Sequence, residues 1–449
     1  MSGQAEGRAP TLSRSHRSGW GVAIAATLGM SVSYIDRQTL AAIAPQVRAA
    51  LAIDNRQFGF LLSAFSLAYL VGAPAAGVLV DRLGARRGFA IAVVAWSIVA
   101  GAHALVTSFA MLVALRVLLG ATEAPSFPAA AQAIRRSLPI TGRPAAYGLL
   151  FTGSSLGAMI AAPLAVTIAS YVGFRSAFLG TSAIGLLWIP FWLAMTAADR
   201  RRSDEDPAPP RDVADVPPVP DGAAKSIYRG PEPVATVPTT WLGVMLSAPV
   251  LRAVIAVFGC APAIMFVLNW SSLYLVDHWH LSSLQTRGYL VLPPLFFDVG
   301  AVGFGFWASA REKRHLRDVE SGAAPPAIVR KTHLDLFLGS TALAAMLAFA
   351  PLAPSPIVAM LLFSAAAVGG GGIYVLVTAD MLSRVPLDRT SSAGGMTAAA
   401  QSAAHIIAAP LVGMAIDRTH GYGATLVVLG LVVVPTSLAF ALWPGIRAR

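Results

Sequence analysis

Charge is what this chain has least of. Only 12% of its 449 residues are Asp, Glu, Lys or Arg, where soluble globular domains carry roughly 25%. That shortage argues against a soluble enzyme or receptor. Cysteine is nearly absent too: Cys260 stands alone, so there is no disulfide framework and the residue reads as an inert helix position. Eight histidines are too few and too scattered to suggest a haem carrier, a metal site or a membrane-bound enzyme. Period-2 alternation is missing, and with it the pattern of a membrane barrel. The glycine run "VGGGGIYV" (Val368–Val375) precedes no Lys-Ser/Thr, so it is no nucleotide loop and points instead to close packing or flexing of a helix.

What the chain has in abundance is apolar sequence. It is 56% hydrophobic with a mean hydropathy of +0.66. Runs of about 20 apolar residues, each able to cross a bilayer as a helix, recur along its whole length. Twelve spans are expected, at 19–44, 57–80, 88–107, 109–134, 144–170, 176–197, 250–277, 284–310, 333–352, 355–381, 391–416 and 423–444. The first is too long for a signal-peptide core and lacks a convincing cleavage site, so it reads as a retained helix. The fold class is therefore an all-α polytopic membrane protein.

The net charge of +11 brings nucleic acid to mind, but its distribution points to a bilayer. With the N-terminus in the cytoplasm, the tails and cytoplasmic loops hold 25 of the 33 Lys and Arg, the opposite loops hold five, and Arg37, Arg116 and Arg252 fall inside spans. That is the positive-inside pattern, and it predicts both termini in the cytoplasm. No aromatic or basic motif supports nucleic-acid binding.

The longest break is rich in proline and charge, "RRRSDEDPAPPRDVADVPPVPDG", and reads as a partly disordered linker. It divides the chain into a tail at 1–18, six spans at 19–197, a cytoplasmic linker at 198–249, six spans at 250–445 and a C-terminus at 446–449. An internal repeat agrees with this division. "IAAPL" occurs at Ile160–Leu164 and again at Ile407–Leu411, and at the same offset of 247 Pro139 matches Pro386 and Gly148 matches Gly395. Two pseudo-symmetric six-helix halves are the architecture expected of a secondary transporter.

Three segments carry a family resemblance. "GVLVDRLGARRG" (Gly77–Gly88) is similar to the cytoplasmic gating signature of the major facilitator superfamily, matched at Gly77, Asp81, Arg82, Gly84, Arg86 and Arg87. A tight turn suits it: Gly84 permits a left-handed backbone, and Asp81 can accept hydrogen bonds at a helix end. "SYIDRQTLAAIAP" (Ser33–Pro45) and "RVLLGATEAPSFPA" (Arg116–Ala129) resemble the anion:cation symporters, whose members carry hexuronates and other organic anions with protons. The first holds Tyr34, Asp36 and Arg37, and the second holds Arg116, Gly120, Glu123, Pro125 and Pro128. "FFDVGAVGFG" (Phe296–Gly305), with the intramembrane acid Asp298, is similar to the hexuronate branch. The resemblance implies a proton-driven importer of a hexuronate or related sugar acid, with no cofactor, working by alternating access as a monomer in a bacterial inner membrane.

A charge inside the bilayer is costly unless it faces a partner or a polar cavity. Arg116 and Glu123 are seven residues apart, about two turns, so they share a helix face at two depths. Pro125 and Pro128 should bend the helix just beyond the glutamate. Glu123 is expected to take up a proton, while Arg116 is a fixed cation that binds a carboxylate or holds an acid ionised. The alternative is a permanent ion pair that locks two helices. Asp36 and Arg37 are neighbours, about 100° apart around the helix, so one can face a cavity and the other a packed helix. By resemblance Asp36 is a second proton-coupled acid and Arg37 the substrate-carboxylate anchor, which suits a bidentate guanidinium. Both could instead snorkel to the interface. Tyr69, Asn269, Trp270, Tyr274 and Gln401 are candidate contacts for sugar hydroxyls. Interhelical hydrogen bonding is the competing reading for these, as it is for Asp298 and His405. The alternative function is a drug or other monocarboxylate transporter of the same superfamily, and a non-transporting sensor is a more distant one. Arg37 and Arg116 favour anions.

Overall fold

The structure is a computed structural model, and it describes residues 14–138, 143–197, 243, 245–320, 333–382, 384–385 and 390–443. The described residues are helical, with no strand among them. The first half holds α1 (Arg14–Ala42), α2 (Ala44–Leu51), α3 (Asn55–Leu83), α4 (Ala85–Ala102), α5 (Phe109–Glu123), α6 (Ser126–Ser137), α7 (Arg143–Val172) and α8 (Phe174–Met195). The second holds α9 (Ala248–Asn269), α10 (Ser271–Asp277), α11 (Ser283–Tyr289), α12 (Leu292–Glu320), α13 (Leu334–Ala345), α14 (Pro356–Leu382), α15 (Thr390–Thr419) and α16 (Gly423–Leu442). Each expected span is met by one of these helices or by a consecutive pair. Among the described residues, ten helices are long and apolar enough to cross a membrane. The first two expected spans fold as the 29-residue helices α1 and α3. Most of the expected linker at 198–249, the tail up to residue 13, and the C-terminus at 446–449 lie outside the described residues.

Local chemistry sets the helix ends. Asp54 caps α3, its carboxylate accepting from Gln57 N while the Gln57 side chain accepts from Asp54 N. Ser108 caps α5 in the simpler way, accepting from Met111 N. Capping satisfies backbone donors that a helix start leaves free. The span carrying Glu123 breaks at Ala124–Pro125, between α5 and α6, as a proline there requires. Gly84 joins α3 to α4 at φ +76°, a conformation that a side chain would strain. In the same signature, Arg86 Nε donates to Thr196 Oγ1 at 3.1 Å and the Trp192 indole donates to Arg86 O at 2.9 Å, which ties α4 to the end of α8. The side chain of Asp81 lies outside the described residues.

The repeat is visible in the helices. α7 and α15 begin at 143 and 390 and end at 172 and 419, the same offset of 247 at both ends, and each carries its internal proline in register, Pro163 and Pro410. α5 and α14 begin one offset apart as well. The glycines of α14 let it press against its neighbours. A Cβ at Gly369 would meet the backbone of Ala344, at Gly370 the side chain of Ile264, and at Gly371 the carbonyl of Phe297.

The two halves meet at the far end, where α1 stops. Arg48 is paired with Asp277 at 3.0 Å, and Asp277 also accepts from the Tyr422 hydroxyl at 2.8 Å. Asp417 accepts from Asn55 Nδ2 at 2.7 Å and from Arg56 N at 2.9 Å. Ser272 Oγ donates to Ala42 O. Gly59 lies against the backbone of Ala409 and Gly413 against that of Asn55, so α3 and α15 touch main chain to main chain. Deeper in, Ser155 Oγ donates to Asp298 at 2.6 Å, so Asp298 makes a helix–helix bond between α7 and α12.

Candidate functional site

The site grows from the last residue of α5. Glu123 stands where that helix stops, and its side chain is fully buried. Oε2 accepts from Arg37 Nη2 at 2.9 Å, from Arg37 Nε at 3.2 Å and from Ser33 Oγ at 3.1 Å. Oε1 is buried with no hydrogen-bond partner. Ser33 and Arg37 are four residues apart on α1, so they share the face that meets the carboxylate. Gly120, one turn before Glu123, makes the approach possible: a Cβ there would run into the carbonyl of Phe65 on α3.

Aromatic rings hold the guanidinium in place. The Arg37 Cζ lies 4.6 Å from the Tyr34 ring centroid, 4.7 Å from Phe65 and 5.0 Å from Tyr69. Phe65 and Tyr69 are themselves stacked at 6.0 Å. Ring faces attract a cation most strongly where water is scarce. Arg37 nevertheless keeps about a fifth of its side-chain surface accessible, whereas Glu123 keeps none. The arginine is thus the member of the pair that a ligand can reach.

Asp36 turns the other way. It is 2% exposed and lies inside the first half, its oxygens facing Trp96 of α4 and Thr181 of α8 without a close hydrogen bond to either. Arg116 is equally buried, with Nε and Nη2 unpartnered, and it interacts electrostatically with Asp36, Glu123 and His103. Asp36 and Arg116 therefore form a dry charged cluster behind α1, while Arg37 and Glu123 form a bonded pair on its other side. The structure brings Tyr34, Tyr69, Arg37 and Glu123 together. It sets Asp36 and Arg116 beside them, without placing either at the interface with water.

The second-half candidates lie differently. Trp270 is fully buried, edge-on to Phe58 at 5.1 Å and stacked on Phe266 at 6.2 Å. Tyr274 packs on Phe363 at 5.0 Å and Tyr422 at 5.4 Å. Together these rings make an aromatic plug beneath the Arg48–Asp277 pair. Asn269 donates to Met265 O one turn back in its own helix. Gln401 is partly buried on α15, one turn before His405. His405 interacts electrostatically with Arg37, and Tyr374 with Tyr34, so these two stand nearer the first-half site. Tyr374 is not among the residues that the sequence singles out, since its glycine run reads as close packing or flexing of a helix. A tyrosine two residues after four consecutive glycines was the available signal.

Two helical halves, the first with a buried carboxylate–guanidinium pair inside it, define a polytopic membrane protein of the two-bundle class. The chain belongs to the major facilitator superfamily, whose profile matches residues 26–409. It is 37% identical over 174 residues to a hexuronate transporter of Escherichia coli, a match spanning 39% of this chain and 40% of that protein. A hexuronate transporter of Bacillus subtilis is 27% identical over 411 residues, covering 91% of this chain and 90% of its own. A galacturonate transporter of Dickeya chrysanthemi is 34% identical over 167 residues, 37% of this chain and 48% of that one. Among solved structures, a bacterial homologue of the human lysosomal transporter Spinster superposes with a TM-score of 0.66 at 16% identity, over 97% of this chain and 95% of that one. That likeness concerns the fold.

Proposed function

We propose that this protein is a secondary transporter that imports a hexuronate or related sugar acid together with protons, by alternating access, across a bacterial inner membrane with both termini cytoplasmic. The observation that carries the reading is the bond between reachable Arg37 and sealed Glu123. A guanidinium can grip one carboxylate well in a bidentate fashion. While Glu123 is ionised, it occupies the group that an organic anion would need. Protonation of Glu123 removes the competing charge, and Arg37 is then free to bind the substrate carboxylate. An unpaired cation in that place is costly, so the proton and the anion favour each other's binding. That mutual preference is symport.

Asp36 and Arg116 extend the scheme. The pair lies behind α1, where a second proton can be taken up without contact with substrate. Two protons with one monoanion move net positive charge inward, so the membrane potential assists. The far-end contacts between the halves, at Arg48–Asp277 and at Asn55–Asp417, are those that must part for access from the periplasm. The names of the relatives favour sugar acids over other anions, and both arginines disfavour a cationic drug.

The test is uptake into proteoliposomes of labelled galacturonate, glucuronate, galactonate and lactate, with and without an imposed inward proton gradient. The expected result is accumulation of one or more sugar acids only with the gradient, abolished by a protonophore. Uptake indifferent to the gradient, or confined to lactate, overturns the proposal.

A further inference from the structure

Among the buried second-half polar groups that lack a hydrogen-bond partner, two stand near the first-half site. The Tyr374 hydroxyl on α14 and His405 Nε2 on α15 are both buried, and neither has a hydrogen-bond partner. A buried polar group left unbonded is destabilising, and such groups usually find partners in protein or water. Both are within electrostatic reach of the first-half site, Tyr374 of Tyr34 and His405 of Arg37. Neither is free to drift. Tyr374 follows the glycines that press α14 onto α9, α12 and α13, and its ring meets Phe297 edge-on at 6.0 Å. His405 stands beside the backbone of Ala261 on α9.

A neutral imidazole nitrogen can bond a hydroxyl as acceptor or as donor, according to its tautomer. Neither a phenol nor a neutral imidazole offers the cation that a second buried carboxylate needs. Tyr374 can donate to or accept from a neighbouring hydroxyl. We infer that Tyr374 and His405 form the hydroxyl-reading wall of the substrate site, opposite the carboxylate-reading Arg37, and that they select a polyhydroxylated monoacid over its deoxy analogues and over the corresponding diacid. This inference rests on the sugar-acid reading above.

The experiment measures competition against labelled galacturonate by galacturonate itself, a series of its deoxy analogues, and the diacid galactarate. It compares the wild type with Tyr374→Phe, His405→Leu and His405→Gln. Losing one buried hydrogen bond should weaken galacturonate on the order of tenfold in Tyr374→Phe and in His405→Leu. For each variant, one deoxy analogue already weak with the wild type should lose nothing further, because the bond it lacks is the one removed. His405→Gln, which keeps an acceptor, should recover most of the affinity, and galactarate should compete poorly with the wild type. Losses that simply add across the whole deoxy series, or no loss at all, overturn the inference and leave the transport reading standing. Should His405→Leu fail to fold, Tyr374→Phe removes a single oxygen and still decides. A wild type that binds no sugar acid overturns the transport reading and this inference with it.

Discussion

Helices α5 and α14 start one repeat apart and differ most at their middles. Where α5 carries Arg116, α14 carries Phe363, packed between Phe266 and Tyr274. Where α5 ends on Glu123, α14 has Gly370 pressed against Ile264. One half thus pays for ions in its interior and the other fills the same positions with rings and close backbone. The second half has charges of its own, but Arg252, Asp380 and Arg384 gather near helix ends, and Asp298 is spent on the bond to Ser155. A buried ion pair stabilises no better than a good apolar contact. On the proposed reading the first half keeps its ions for coupling, and the second half shows what the fold needs without them.

The sharpest way to break this comparison is to neutralise the acid on one side and disturb its counterpart on the other. Glu123→Gln should abolish gradient-driven accumulation while counterflow exchange stays measurable, since the amide resembles the protonated acid. Gly370→Ala should leave coupling intact, because the added methyl meets side chains alone, Ile264 through Cδ1 and Cγ1 and Cys260 through Sγ, and touches no backbone. Accumulation and exchange are read on the same proteoliposomes. If Gly370→Ala uncoupled as fully as Glu123→Gln, the division of labour between the halves would be wrong. If a well-folded Glu123→Gln lost exchange too, the pair would be a structural lock.

The next effect is smaller and concerns shape at constant charge. Arg37→Lys keeps the cation but loses the planar fork that reaches Glu123 through both Nε and Nη2 and lies among three rings. Lysine offers a point charge and less stacking. Affinity for the transported anion should fall about 10- to 100-fold, corresponding to one charge-assisted hydrogen bond at roughly 1.5–3 kcal/mol. Equilibrium binding to detergent-solubilised protein measures it. Unchanged affinity would move the carboxylate anchor elsewhere, with Arg116 the next to examine.

The sequence made one side of this comparison far easier to read than the other. Apolar runs of membrane-spanning length reveal the helices because the bilayer sets that length. The break after Glu123 is legible in Pro125, and the interior ions stand out because they are so few. Which way each ion turns is not legible: adjacency separates Asp36 from Arg37 around the helix but does not say which of them meets the seam between the halves. The second half hid its site for a related reason. α9 and α14 are apolar around most of their circumference, so no face is marked as inward. Trp270 and Tyr274 looked available by residue type, yet both are taken up by ring contacts. Tyr374 and His405 are distinguished by unmade hydrogen bonds together with nearness to Tyr34 and Arg37, and only coordinates reveal both.

The smallest effect expected is at the far end, where a second ion pair joins the halves in a different setting. Arg48 and Asp277 are 3.0 Å apart, much like Arg37 and Glu123, but their side chains are 20% and 37% exposed. Water screens such a pair, which is typically worth about 0–1 kcal/mol. Asp277 also keeps the Tyr422 hydroxyl when the arginine is removed, so no carboxylate is orphaned. The main-chain contacts of Gly59 with Ala409 and of Gly413 with Asn55 remain to hold α3 against α15. Arg48→Ala should therefore shift stability by about 1 kcal/mol at most, with transport within about twofold of wild type, a factor that corresponds to less than 1 kcal/mol. Thermal melting in detergent and initial uptake rates test both numbers. A loss as deep as that of Arg37→Lys would mean that distance, and not burial, governs what an ion pair does here, and the contrast between the sealed site and the exposed clasp would fail.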